Sequence, residues 1–140
     1  RQPDAVARLT KAVSEGAIGF GELKYPVALD GPEMRRIYEL AGDLGVPVLI
    51  HFEEGNWNTG IRSLPSLLQQ YRKTTFLAHA NSFWAHLSAV VDDREQSDRK
   101  IVEGGVSDRV LADYPNVFGD LSANSGRNAL ARDPDFSAGF

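Results

Sequence analysis

The stretch "VPVLIHF", Val46 to Phe52, decides the fold. It is short, apolar on both faces and ends close to a histidine, the pattern of a parallel strand packed between layers. Immediately before it, Met34, Ile37, Tyr38, Ala41 and Leu44 recur at helical spacing. Asp30 is placed to cap that helix, Pro32 falls in its first turn, and Gly45 sits where a left-handed C-terminal cap belongs. After the strand, the loop "EEGNWNTG" (53–60) leads into a helix marked by Leu64, Leu67, Leu68 and Tyr71. A second strand, "TFLAH" (75–79), follows and again ends in histidine.

The same alternation continues outward in both directions. Upstream, Asp4 can cap a helix carrying Val6, Leu9 and Val13, Gly16 ends it, and Ala17 to Leu23, "AIGFGEL", reads as a strand. Downstream, the charged stretch "DDREQSDRK" (92–100) reads as a solvated helix face or loop. A helix over Val106 to Tyr114 then precedes a strand over Val117 to Leu121, and "NSGRNAL" (124–130) opens one more helix. Helix precedes strand four times with no hairpin signal, which predicts an α/β fold with a parallel sheet. Glu22 and His51 are 29 residues apart, and His51 and His79 are 28 apart. A (β/α)₈ TIM barrel of ~250 residues repeats every ~30 residues. The four strands therefore predict a single partial TIM-barrel domain over residues 1–140, about half of a barrel, with the repeat running to both ends.

Composition narrows the chemistry. The chain has 140 residues, a net charge of −4 and no cysteine. A cysteine zinc site and a disulfide framework are thereby excluded, so a metal must be held by His, Asp, Glu or a modified Lys. No basic patch points to nucleic acid. The longest apolar run, Val46 to Ile50, is too short to span a bilayer, and no signal peptide is visible. The expectation is a protein of the cytoplasm acting on a small molecule, with neither nucleic-acid nor membrane partners; homo-oligomerisation is left open.

In parallel α/β folds, side chains at the carboxyl ends of strands face the active site. The strands here end in Glu22, His51, His79 and Asp120. Alternation puts Leu49 with His51, Leu77 with His79, Phe118 with Asp120, and Phe20 with Glu22 and Lys24. Imidazole nitrogen and carboxylate oxygen are good ligands for first-row metals. Each residue also has a plainer reading. Glu22 can pair with Lys24, the histidines can be buried and hydrogen-bonded, and Asp120 can cap the "SANSG" turn. His86 reads as a packing or surface residue on the next helix. Trp57 and Phe83 fall in loops after strands, where they can line a pocket or simply pack. Asn124, Ser125 and Gly126 mark a helix start that could favour an anion.

"GFGEL" (19–23), "VPVLIHFE" (46–53), "TFLAHANSFW" (75–84) and "PNVFGDLSANSG" (115–126) resemble the amidohydrolase superfamily, especially its amidohydrolase-related branch. The resemblance spans nearly the whole chain. It implies that these strands are roughly the fourth to seventh of a barrel. It also implies a divalent metal, zinc in one or two ions, held by Glu22, His51 and His79, with His79 and Asp120 in catalytic roles. The implied reaction is hydrolysis of an amide, ester, lactone or related bond by metal-activated water. The family's His-x-His pair and final Asp have no counterpart in this chain, so the expectation is an internal fragment, truncated at both ends and inactive alone. Relatives in the same branch decarboxylate unsaturated or aromatic acids, and a metal-dependent lyase is the alternative. Two further readings are a carboxylated Lys24 as metal ligand and a metal-free barrel aldolase or isomerase forming a Schiff base on Lys24. A non-catalytic barrel piece completes the set, because fold alone does not give function.

Overall fold

Strand follows helix along the chain, as the apolar periodicity requires. The computed structural model describes residues 4–91 and 99–139. Helix α1 (Ala5–Ser14) precedes β1 (Phe20–Leu23), α2 (Pro32–Leu44) precedes β2 (Val48–His51), and a 3₁₀ turn (Ile61–Ser63) runs into α3 (Leu64–Gln70) before β3 (Phe76–His79). Helices α4 (Asn81–Ala85) and α5 (Val106–Asp113) precede β4 (Val117–Gly119), and α6 (Asn124–Ala131) and α7 (Pro134–Ser137) close the order. The strands form one parallel sheet in the order β1-β2-β3-β4. The fold is mixed α/β with a four-stranded parallel sheet, as the alternation predicted. The charged stretch after Val91 falls largely outside the described residues.

Register follows from what each strand buries. Val48 and Ile50 stand opposite Phe76 and Ala78, and Phe76 stands opposite Val117. All five belong to the core, together with Met34, Tyr38 and Ala41 of α2, Leu64, Leu67 and Leu68 of α3, and Val110 of α5. The alternate positions Leu49, His51, Leu77 and His79 are only half-buried, and Phe118 is exposed. The helices therefore cover one face. The expectation that "VPVLIHF" is covered on both faces holds for the Val48–Ile50 side alone.

Helix ends show where local signals competed. Gly45 adopts φ +68 as the C-cap of α2, which its lack of a Cβ permits. Asp30 does not cap α2. Gly31 takes that position and Pro32 starts the helix, while the Asp30 carbonyl accepts a 2.7 Å hydrogen bond from Arg35 Nε. Asp4 occupies the N-cap position of α1, but its side chain makes no cap hydrogen bond. Tyr38 is fully buried and donates its hydroxyl to the Leu29 carbonyl at 2.9 Å. Burial drives its phenol pKa well upward, so it acts as a neutral donor that ties α2 to the preceding loop.

Ile50 is wholly buried at the centre of the covered face. Ile50→Ala is expected to destabilise the chain by roughly 2–5 kcal/mol, through lost transfer energy and the cavity left behind. The measurement is the denaturation midpoint at unchanged slope. A loss under about 1 kcal/mol would show that this face is not the core.

Candidate metal centre

In-step parallel pairing brings the last side chains of β2 and β3 to one end of the sheet, where Glu22 of β1 joins them. His51 and His79 are direct partners across β2 and β3, with ring centroids 5.7 Å apart. Each keeps only 14% side-chain exposure. Glu22 reaches over from β1. Its Oε1 is hydrogen-bonded to His51 Nδ1 and lies 3.8 Å from His79 Nε2.

Glu22 arrives there by an irregularity that alternation does not predict. Phe20 pairs with Val48 and Leu23 with Ile50, so Gly21 and Glu22 together oppose Leu49. Phe20 and Leu23 are both buried, whereas Gly21 and Glu22 are exposed. Phe20 thus does not share a face with Glu22. Gly21 makes the bulge feasible, because a Cβ there would stand 2.7 Å from Leu49 Cβ. The buried Asn58 then locks the strand ends together. Its Nδ2 donates to the carbonyls of Leu23, at 2.6 Å, and His51, at 2.8 Å.

Each imidazole has its other nitrogen against a second carboxylate. His79 Nδ1 lies 2.7 Å from Asp120 Oδ2, and His51 Nε2 lies 3.1 Å from Glu53 Oε2. Both acids are held below the usual carboxylate range. For Asp120, burial works upward but is outweighed by hydrogen bonds from the Ser122 hydroxyl and N–H and from His79. For Glu53, the Asn56 amide is the main cause, with His51 and Lys24 assisting. Ionised carboxylates only accept, so these contacts call for N–H groups on His79 Nδ1 and His51 Nε2. On the other side, His51 Nδ1 meets Glu22 Oε1 in a hydrogen bond, and His79 Nε2 lies 3.8 Å from the same oxygen.

The donor set fits a divalent cation. One atom from each of Glu22, His51 and His79 lies within 4.8 Å of the others. Ligands about 2.1 Å from one ion lie at most ~4.2 Å apart, so the side chains are near that spacing and would shift to share one ion. Two nitrogens and one oxygen suit zinc and its first-row neighbours. Histidine ligands backed by carboxylates are the usual outer arrangement of such sites.

The strand-end residues named from sequence come together: Glu22, His51 and His79 as donors, and Asp120 behind His79. Asp120 also orders the following turn through Ser122, as its plainer reading expected, while its Oδ2 lies against His79. His86 stands apart. It is buried at the end of α4, with Nδ1 donating to the Ser82 carbonyl at 2.7 Å. Phe83 lies within α4 rather than a loop and is fully buried against Phe52 and Trp84. The Lys24 ammonium sits over the Trp57 ring, 5.7 Å from its centre. Asn124 to Gly126 do open a helix, α6. Glu53 and Asn58 were not singled out in the sequence. Glu53 had a signal, since position i+2 from His51 shares its face if the chain stays extended. Asn58 had none.

His51→Ala and His79→Ala are each expected to weaken zinc binding by more than the roughly 10–100-fold that loss of an outer partner costs. His86→Ala is expected to leave it unchanged. Titration of the metal-free variants against a chromophoric chelator reads all three, and wild-type affinity in either of the first two would remove that residue from the centre. No helix among the described residues is long and apolar enough to cross a membrane. No family model matches the chain, and neither does any curated protein or solved structure.

Proposed function

We propose that the chain carries the metal centre of a hydrolase of the amidohydrolase type, on part of a (β/α)₈ barrel. The observation that carries this reading is the convergence of Glu22, His51 and His79, with each imidazole backed by its own carboxylate. The four parallel strands in sequential order agree with a barrel segment, and the resemblance of the strand-end motifs supplies the reaction class.

Glu22 Oε1, His51 Nδ1 and His79 Nε2 would hold the ion, zinc by donor type. When bound, such an ion polarises a scissile carbonyl and makes water acidic enough to attack near neutral pH. Asp120 keeps the proton of His79 on Nδ1 and so keeps Nε2 free as a donor to the centre. Its hydrogen bonds to Ser122 hold that carboxylate in place. Half-buried Leu49 and Leu77 lie one alternate position below the histidines and give the centre a partly apolar floor. The Lys24 ammonium lies beyond the β1 end, where it can attract an anionic substrate group. Amides, esters and lactones are the substrate classes.

The test is reconstitution. Metal-free protein that carries this segment within a complete barrel is assayed on aryl esters, lactones and acyl anilides, before and after addition of zinc, cobalt or manganese. Turnover is expected only with metal, to be abolished by chelator, and to fall roughly a hundredfold or more in His51→Ala and His79→Ala. Chelator-insensitive hydrolysis would overturn the reading. Release of carbon dioxide in place of a hydrolysed acid would move the protein to the lyases.

A further inference from the structure

The loop after β2 holds a carboxylate against the face of His51 that points away from the centre. We infer that Glu53 is the positioning residue of His51: it keeps the ring proton on Nε2 and thereby presents Nδ1 to the metal. The inference rests on the metal-centre reading above and assigns a role to a residue outside the donor set.

Glu53 is fixed before it meets the histidine. Its backbone N–H donates to the Trp57 carbonyl at 3.0 Å, and its own carbonyl accepts from Asn56 N at 3.1 Å and Trp57 N at 2.8 Å. The loop therefore folds back on itself through a Glu53–Trp57 bridge. Gly55, at φ +86, supplies the left-handed residue such a tight reversal needs. Both carboxylate oxygens are engaged. Oε1 accepts from Asn56 Nδ2 at 2.8 Å, and Oε2 faces His51 Nε2 at 3.1 Å. The Lys24 ammonium over the Trp57 ring ties the same loop to the end of β1. A carboxylate held at both oxygens is a poor candidate for swinging to the ion and a good one for orienting a ring.

A neutral imidazole has one N–H and one lone pair. With an ion at Glu22 and His79, His51 Nδ1 would give its lone pair to the metal, and the ring N–H would stand on Nε2, 3.1 Å from Glu53 Oε2. Asp120 serves His79 in the same way, but through Nδ1, so its ring offers Nε2. The two histidines thus present opposite nitrogens because their carboxylates stand on opposite sides.

Zinc affinity is measured by chelator competition in wild type, Glu53→Ala and Glu53→Gln, with the thermal midpoint of each metal-free protein as a check on folding. Glu53→Ala is expected to lose roughly 10–100-fold in affinity, at a midpoint close to that of wild type. Glu53→Gln retains an acceptor oxygen and is expected to recover most of the loss. In zinc-loaded protein with ¹⁵N-labelled histidine, His51 is expected to carry its proton on Nε2. Wild-type affinity in Glu53→Ala would overturn the inference and leave the metal centre standing. An equal loss in the Gln and Ala variants would make Glu53 a direct ligand and also overturn it. Failure of the wild type to bind zinc would overturn the centre itself, and this inference with it.

Discussion

The register between β2 and β3 governs both the core and the candidate centre. Val48 and Ile50 face Phe76 and Ala78 on the covered side, and the same pairing sets His51 opposite His79 on the other. A side-chain period of two makes these one decision. A slip of a single residue would carry Ile50 out of the core and drive His51 into it. The apolar burial that stabilises the sheet therefore also holds the imidazoles in step, with no contact between the histidines needed to align them. Glu22 depends on a separate device, the bulge at Gly21, because regular pairing of β1 would send Glu22 and the buried Phe20 to the same face.

Much of this was legible because periodicity records burial. The four strands, their order and the polar residues at their ends could be read from apolar runs and spacing, and the strand-end residues do gather at one point. What escaped had no periodic trace. The bulge at Gly21 arises from a close approach to Leu49, which depends on a neighbouring strand nearly 30 residues away. Asp30 looked like the cap of α2, yet Gly31 takes the position in an extended conformation directly before Pro32. Glu53 had only its place two residues after His51 to mark it in a stretch that reads as polar loop, and its contacts follow from a reversal that puts Asn56 and His51 on its two oxygens. Asn58 joins two carbonyls from different strands, a link no local pattern announces.

The irregular backbone gathers beside the donor set. Ala80, immediately after His79, has φ +79, and Asn58, in the loop after His51, has φ +46. Asparagine tolerates that region, whereas alanine at φ +79 with an extended ψ of −177° adopts a conformation suited to glycine. Such positions cost of order 1–3 kcal/mol and persist only where their surroundings over-determine them. Here the surroundings do so. Ala80 begins α4, whose Ser82 amide donates to the Phe52 carbonyl at 3.1 Å and whose Ser82 hydroxyl accepts from Glu54 N at 2.8 Å. The loop after His51 is thus pinned to the helix after His79. Asn58 Oδ1 is buried without a hydrogen-bond partner among the described residues, a further local cost accepted at the strand ends.

Electrostatics gives that cost a purpose. Glu22, Glu53 and Asp120 surround two imidazoles, and hydrogen bonds keep Glu53 and Asp120 in the charged form. A cation held by Glu22, His51 and His79 would be attracted by these carboxylates and would couple its binding to stability. The loops after β2 and β3 are fastened to each other and not only to their own strands. Preorganisation of this kind lowers the conformational cost of binding an ion. The strained loop residues, the bulge and the paired carboxylates are therefore parts of one arrangement, in which the sheet supplies register and the loops keep the donors from moving apart.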